Sequence, residues 1–134
     1  DVLLESGAYV LELLDLKLGR CRIAVAGRPD FVENPAKPLR VATKYPSVAR
    51  RHYSARSRSV EIIMLHGSIE LAPLLGLSDV IVDIVETGST LIENNLAVLD
   101  EIVPSSARLI VNRAAWRFKE GTIRNLAGKL EELL

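Results

Sequence analysis

Short apolar runs alternate with amphipathic and polar segments along the 134 residues of the chain. Runs of about four to eight apolar residues bounded by glycine, proline or polar residues are typical of strands. The pattern predicts six strands, at residues 21–26, 39–43, 60–65, 79–85, 98–103 and 108–111.

Helices are predicted where capping residues precede apolar residues at three- and four-residue steps. Asp1, Pro46 and Ser68 are good helix starts, because their side chains cap free N–H groups or, for proline, lack one. The predicted helices are one from Asp1 to about Gly7, one of about ten residues from Pro46, one from Ser68 to Gly76, a short one after Thr90, and an amphipathic one over 117–134.

Strands that alternate with helices indicate an α/β fold with a mostly parallel sheet. The segment 27–38 contains three prolines and is predicted to be a connector that crosses between two lobes. A cleft between two lobes is the expected place for a small ligand.

Composition narrows the function further. The 17 basic and 17 acidic residues cancel, so no basic field is available to attract nucleic acid. The apolar runs are too short to cross a bilayer. A single cysteine, Cys21, allows no intrachain disulfide, favours a reducing compartment such as the cytoplasm, and is predicted to be a buried, inert thiol.

The stretch VIVDIV-ETGST-LIENNL, from Val80 to Leu96, carries the clearest chemistry. An apolar strand buried on both faces delivers the chain to a tight loop at its C-terminal end, where open α/β sheets bind ligands. Gly88 permits a left-handed backbone and a close approach, and a helix with free N–H groups follows the loop. Three hydroxyl side chains, Thr87, Ser89 and Thr90, add further donors. The loop is therefore predicted to hold a phosphate group.

Two acidic residues, Asp83 and Glu86, flank this predicted anion site. Carboxylates beside a phosphate would repel it unless they face ribose hydroxyls or a hydrated magnesium ion. The arrangement therefore suits a ribose 5-phosphate. The alternative is an ordinary capped turn, in which Asp83 is a buried acid with its own partners and Glu86 is a solvated loop residue.

Four further residues have candidate roles and simpler alternatives. Lys44 could reach a phosphate across the cleft, or be an exposed lysine at the end of a strand. His66 has no cysteine or histidine at metal-ligand spacing and is predicted to be a structural or loop residue. Trp116 and Phe118 are predicted to pack rather than to stack on a base.

Five segments together resemble one known family, the catalytic subunit of ATP phosphoribosyltransferase, the enzyme that opens histidine biosynthesis. The segments, in the family's order, are DVLLESG, LDLKLGRCRIAVAG, RVATKYPSVARRHY, LHGSIELAPLLGLSDVIVDIVETGSTLIENNL and RLIVNRAAWR. The resemblance implies transfer of the phosphoribosyl group from phosphoribosyl pyrophosphate to N1 of ATP, with release of pyrophosphate. It also implies magnesium, carried by the pyrophosphate rather than by protein ligands.

The resemblance assigns roles to matching positions. Asp83 and Glu86 are the implied catalytic residues, with Asp83 facing the ribose hydroxyls or the metal. Asp1 and Lys44 are implied on the ATP side of the cleft. The residues implied to bind the ribose 5-phosphate are Glu86, Thr87, Gly88, Ser89 and Thr90.

The resemblance also implies a bilobal α/β architecture of the periplasmic-binding-protein type (type II), with one lobe incomplete because the family's N-terminal strands are missing. Residues 1–28 would end the first lobe, 29–107 would form the second, and 108–134 would return to the first. An oligomer is expected, with a separate regulatory subunit that resembles histidyl-tRNA synthetase as a possible partner. The main alternative is a non-catalytic two-lobed module that binds a small anion, and another is a nucleobase phosphoribosyltransferase. Two carboxylates beside the ligand argue against an anion receptor.

Overall fold

A computed structural model describes the whole chain, Asp1–Leu134, as seven strands and five helices. The elements form two sheets, one of two strands and one of five. In chain order they are α1 (Val2–Ser6), β1 (Val10–Asp15), β2 (Cys21–Gly27), β3 (Leu39–Thr43), α2 (Pro46–Ser54), β4 (Val60–Met64), α3 (Leu71–Leu74), β5 (Val80–Val85), α4 (Ser89–Glu93), β6 (Ala97–Ser105), β7 (Arg108–Asn112) and α5 (Arg113–Glu131). No helix is long and apolar enough to span a bilayer.

The five-stranded sheet has the order β4-β3-β5-β2-β6 and holds both cores of the molecule. Strand β5 occupies its centre, as the continuous apolar run VIVDIV predicts for a strand covered on both faces. Strand β3 is parallel to β4 and β5, but β2 is antiparallel to both β5 and β6. Strands β3, β4, β5 and β6 therefore run in one direction and only β2 opposes them, so the prediction of a mostly parallel sheet is confirmed except at β2. The exception was not foreseen, because an apolar run carries no information on strand direction.

The two faces of the sheet carry side chains of different size. On the face covered by α2, Ile23 and Val25 of β2 pack with Val41 and Val48 in one buried cluster. On the opposite face, alanines of β2 and β3 leave room for the short helices α3 and α4 to approach closely. Alternate residues of β2 therefore serve both cores, which is the period-two pattern of a strand covered on both sides.

The two-stranded sheet pairs β1 with β7 in antiparallel register, and α5 packs on both strands. No strand was predicted at β1. Helix α5 begins at Arg113, four residues before its predicted start, where the Asn112 side chain accepts the Ala115 N–H at 2.7 Å. No residue of α5 is buried, and Phe118 is 81% exposed, so the prediction that Phe118 packs is wrong for this chain.

Two chain segments cross side by side between the sheets. The Leu16 N–H donates to the Ala107 carbonyl and the Ala107 N–H donates to the Leu18 carbonyl, while the Ser106 hydroxyl donates to Asp15 at 2.8 Å. Strand β2 follows the first crossing and belongs to the five-stranded sheet. The predicted boundary at residue 28 therefore does not coincide with the boundary between the sheets, which lies before Cys21.

Two local predictions also need correction. Ser68 has φ of 50° and lies in a turn, and α3 begins only at Leu71, so Ser68 is not an N-cap. Cys21 is half-buried rather than buried, because it starts β2 at the rim of the sheet opposite Ser105. His66 is an exposed loop residue, as predicted.

His52 of α2 is held between a base and an acid. Its Nε2 atom lies 3.2 Å from Asp100 of β6, and its Nδ1 atom lies 3.0 Å from the guanidinium of Arg56. Burial, followed by the charge of Arg56, lowers the pKa of His52, and Asp100 opposes this shift. The geometry suits the neutral ring, in which Nε2–H donates to Asp100 and Nδ1 accepts from Arg56.

This neutral histidine predicts a loss of stability in mild acid. Below about pH 6.5 the unfolded chain protonates this histidine while the folded chain resists, so the free energy of unfolding falls as the pH falls towards the lowered native pKa. The slope from this group is at most about 1.4 kcal/mol per pH unit, the limit for one proton. Urea unfolding between pH 7.5 and 5 should show this slope in the wild type and in the control His66→Gln, and a flatter profile in His52→Gln. An equal slope in His52→Gln would contradict the assignment.

Candidate functional site

The loop that follows β5 has the backbone that its sequence predicts. Gly88 adopts φ of 82° and ψ of 2°, and α4 starts at the next residue, two positions earlier than predicted. A Cβ atom on Gly88 would meet only Val85 Cγ1, at 3.9 Å. The left-handed backbone, and not lack of space, is therefore what requires glycine here.

The loop presents several donors that the protein does not use. The N–H groups of Thr87, Gly88 and Thr90 make no hydrogen bond within the chain. The Thr87 and Ser89 hydroxyls lie 3.1 Å apart, and both residues line the same pocket. This concentration of backbone and hydroxyl donors around one turn is the arrangement that binds phosphate groups in proteins.

The donors line a pocket of about 340 Å³, which is large enough for a sugar phosphate. The structure brings six predicted site residues together in this pocket: Asp83, Glu86, Thr87, Gly88, Ser89 and Thr90. A third carboxylate, Glu70, lines it too and was not predicted. Glu70 immediately precedes α3, and an acid at the start of a helix is sufficiently explained by its interaction with the helix dipole. The sequence therefore gave no indication that Glu70 lines the pocket.

Asp83 is the half-buried acid of the pocket. Burial raises the pKa of this carboxyl, and nearby Glu70 adds to the effect. The Ile84 N–H, which donates to Asp83 at 2.8 Å, and the charge of Lys44 act in the opposite direction. An acid in this setting gains from a ligand that offers hydroxyl donors or positive charge.

Lys44 reaches the same edge of the sheet from the neighbouring parallel strand. It follows Thr43, which pairs with Val82 of β5, so the chain leaves β3 beside Asp83. The Thr43 hydroxyl donates to the Val82 carbonyl at 2.6 Å and accepts the Tyr45 N–H at 2.9 Å. Lys44 is exposed, and its Nζ atom lies 5.4 Å from the centre of the Tyr45 ring.

Asp1 lies outside the loop pocket and contacts the site through Tyr45. The buried Tyr45 hydroxyl donates to the Asp1 carboxylate at 3.1 Å. Burial, followed by the charge of Asp83, raises the pKa of Tyr45 to about 12, so the phenol stays a donor. Thr43 and Tyr45 were not predicted as site residues. The only sequence sign was their position next to Lys44 at the end of a strand.

The family and its curated members match almost the whole chain. The family model HisG, described as ATP phosphoribosyltransferase, matches residues 1–132. The ATP phosphoribosyltransferase of Brachyspira hyodysenteriae is 53% identical over 135 residues, which cover 100% of this chain and 66% of that protein. The enzyme of Caldanaerobacter subterraneus subsp. tengcongensis is 52% identical, over 100% of this chain and 64% of that protein. The chain thus spans just under two thirds of these relatives.

Solved structures agree on the fold. A chain of the ATP phosphoribosyl transferase (HisG:HisZ) complex from Thermotoga maritima matches with a TM-score of 0.88 and 40% identity, covering 98% of this chain and 65% of that one. An arginine-bound ArgBP from T. maritima matches with a TM-score of 0.60 at 12% identity, over 94% of this chain and 61% of that one. A periplasmic binding protein from Brucella ovis also matches, with a TM-score of 0.55 at 9% identity, over 87% of this chain and 41% of that one, which confirms the predicted type of architecture. The chain belongs to the ATP phosphoribosyltransferase family.

Proposed function

We propose that this chain carries the phosphoribosyl-pyrophosphate site of an ATP phosphoribosyltransferase that catalyses the first step of histidine biosynthesis. The observation on which the proposal rests is the left-handed Gly88 turn, whose free N–H groups and hydroxyls share one pocket with Asp83 and Glu86. Donors for a phosphate and acceptors for a ribose diol lie side by side there. A ribose 5-phosphate presents both kinds of group.

The reaction forms one bond at C1 of the ribose and breaks another. N1 of the adenine ring of ATP attacks C1 of the ribose, while the bond from C1 to the pyrophosphate oxygen breaks and its electrons leave with the pyrophosphate. Positive charge develops on the ribose as that bond stretches, and the carboxylates of Asp83 and Glu86 stabilise it. Residues 86–90 hold the 5-phosphate still, because catalysis here consists chiefly of positioning.

The carboxylates of the pocket suit a magnesium ion that arrives with the substrate. Glu70, Asp83 and Glu86 line the same pocket, yet no three acidic, histidine or cysteine side chains converge closely enough to bind a metal alone. Mg²⁺ commonly uses one or two carboxylates together with substrate phosphates and water. Bound to the pyrophosphate, it takes up the charge of the leaving group.

The ATP side of the cleft is assigned to Lys44 and Asp1. Both lie near Tyr45, at the rim where the five-stranded sheet faces the segment of α1. In the complete protein we propose a first lobe formed around the two-stranded sheet and α5, and a second lobe formed by the five-stranded sheet. The substrates then bind in the cleft between the lobes, as small ligands do at domain interfaces.

We also propose a cytoplasmic oligomer that works with a separate regulatory subunit. The similar T. maritima chain comes from a HisG:HisZ complex, which supports a partner of that kind here. The single, half-buried cysteine favours a reducing compartment. The balanced charge of the chain gives no support for a nucleic-acid partner.

A non-catalytic anion-binding module is the second candidate, favoured by the fold that the chain shares with an arginine-binding protein. The two candidate functions differ in the charge of the ligand that the pocket must bind. Three carboxylates line it, which would repel a bare anion but suits a sugar diol and a magnesium complex. The transferase is therefore the better-supported function.

The full-length protein should release pyrophosphate only when ATP, phosphoribosyl pyrophosphate and magnesium are all present. Coupled detection of inorganic phosphate after a pyrophosphatase measures this release. Omitting ATP is the control for simple hydrolysis. Tight binding of phosphoribosyl pyrophosphate without any ATP-dependent release would favour the binding module instead.

A further inference from the structure

Helix α2 is capped from a distant part of the chain. Tyr45, at its N-cap position, makes no side-chain capping bond, and Pro46 has no N–H. The two carboxylate oxygens of Glu5, on α1, accept the N–H groups of Ser47 and Val48, each at 2.9 Å. Glu5 therefore satisfies both free donors of the first turn of α2, a task that usually falls to a local residue.

Two more contacts hold α1 against the start of α2. The Arg51 guanidinium donates to the Leu4 carbonyl, and the Tyr45 hydroxyl donates to the Asp1 carboxylate. Burial acts to raise the pKa of Glu5, but the Ser47 and Val48 N–H groups and Arg51 outweigh it, so the carboxyl stays ionised. Helix α1 leads directly into β1 of the two-stranded sheet, while α2 covers the five-stranded one. These contacts therefore connect the two halves of the structure.

The segment fixed in this way is the one that carries Lys44. On one side of Lys44, the Thr43 hydroxyl bridges the Val82 carbonyl and the Tyr45 N–H. On the other side, Glu5 restrains the chain at Ser47 and Val48. Lys44 itself is exposed and makes no ion pair, so its direction depends on the backbone on either side of it.

We propose that Glu5 is a positioning residue, which caps α2 across the gap between the two sheets and so fixes Lys44 at the end of β3 nearest Asp83, where the lysine amine contacts a diphosphate of the substrates. This inference rests on the proposed function for the identity of the substrates. The geometry itself requires only an anion at Lys44. Glu5 has no contact with the loop pocket, so it acts through the Lys44 segment.

Calorimetric titration of the full-length protein with magnesium pyrophosphate tests the inference without turnover. Glu5→Ala and Lys44→Ala should each weaken binding by about tenfold, the size expected when a charged contact is misplaced or lost. The double variant should bind no more than about twofold worse than Lys44→Ala, because residues that act through one contact are not additive. Glu5→Gln, which keeps one acceptor, should recover part of the affinity.

Asn112→Ala is the matched control for stability. Asn112 caps α5 as Glu5 caps α2, with a 2.7 Å bond to Ala115, and it lies outside the loop pocket. Both substitutions remove a helix cap and should lower the melting temperature by a similar few degrees. Of these two variants, only Glu5→Ala should weaken pyrophosphate binding. In turnover, Glu5→Ala and Lys44→Ala, but not Asn112→Ala, should raise the KM for ATP or for phosphoribosyl pyrophosphate by about tenfold, while kcat changes less than about twofold.

The outcomes separate this inference from the proposed function. Pyrophosphate binding by Glu5→Ala equal to that of wild type, a full additional loss in the double variant, or no binding by wild type would each overturn the role of Glu5. A wild-type protein that follows the expected binding pattern but releases no pyrophosphate from ATP and phosphoribosyl pyrophosphate would overturn the proposed reaction and leave the positioning role standing.

Discussion

Replacing Gly88 by valine should weaken the binding of phosphoribosyl pyrophosphate by at least about 100-fold, because a distorted turn loses at least two hydrogen bonds to the charged phosphate, each worth about 1.5–3 kcal/mol. Gly88 has φ of 82°, a conformation that a β-branched residue strongly disfavours. The valine would force the turn into another shape and redirect the N–H groups of residues 87–90. Calorimetry on the full-length protein measures the affinity.

Gly76 offers a matched control for this substitution. It has φ of 71°, and a Cβ atom there would meet nothing within 4 Å, so Gly76→Val introduces comparable backbone strain without a clash. Gly76 ends the turn after α3 and does not line the loop pocket. Both variants should lose roughly 1–2 kcal/mol of stability. Only Gly88→Val should lose affinity, and binding within about threefold of wild type would sink the assignment of the loop.

Replacing Asp83 by asparagine should reduce turnover by at least about 100-fold and make the protein more stable. The loss follows from removing a carboxylate beside the developing positive charge, an effect of the size seen when one electrostatic contact to a transition state is deleted. The gain in stability, roughly 1 kcal/mol, arises because the free protein has no positive charge of a transition state to offset the cost of burying the carboxylate. There the half-buried carboxylate is disfavoured, as its raised pKa indicates, and asparagine has no charge to bury.

The size of the stability gain depends on pH in a testable way. At neutral pH Asp83 is ionised, and its folded state bears the cost of the buried charge, so Asp83→Asn is stabilising. Below about pH 3.8 the acid is protonated in the folded and the unfolded chain, and the difference should vanish. Thermal unfolding of both proteins at pH 7.5 and pH 3.5 measures this. An equal gain at both pH values would mean that the charge is not its cause.

Asp79 is the natural control, because it precedes the same strand and has the opposite environment. Its carboxylate accepts the Arg40 N–H at 2.9 Å and a guanidinium N–H at 3.0 Å. Burial would raise the pKa of Asp79, but the bonds from Arg40 outweigh burial and lower it. Asp79→Asn should therefore destabilise the protein, by roughly 1 kcal/mol for a partly exposed pair, and leave turnover unchanged.

Six of the seven strands could be predicted from the sequence, because each contains a compact apolar run, whereas β1 could not. All six except β6 lie within a residue of their predicted bounds at each end, because turn-forming or polar residues flank each apolar run. Strand β1 was missed because its apolar positions, Val10, Leu11, Leu13 and Leu14, fit a helix as well as a strand. Only its pairing with β7, far along the chain, decides between them.

The loop of the candidate site could be predicted, whereas its surroundings could not. Residues 86–90 are adjacent in sequence, and glycine with hydroxyl neighbours after an apolar strand limits the possible backbone shapes. Glu70, Tyr45 and Glu5 reach the site region through long-range contacts. Glu5 looks like an ordinary surface acid of α1, since capping by a residue that lies 42 positions away leaves no pattern in the sequence.

The position of β2 between β5 and β6 has a consequence for the order in which the molecule folds. Strand β2 is synthesised well before its partners β5 and β6, with Cys21 opposite Ser105. Contacts so distant in sequence form slowly, because long loops must close before any pairing stabilises the chain. During synthesis, therefore, the edges of β2 stay unpaired until most of the chain has emerged from the ribosome. In that interval the open edges of this apolar strand are a site at which nascent chains can aggregate.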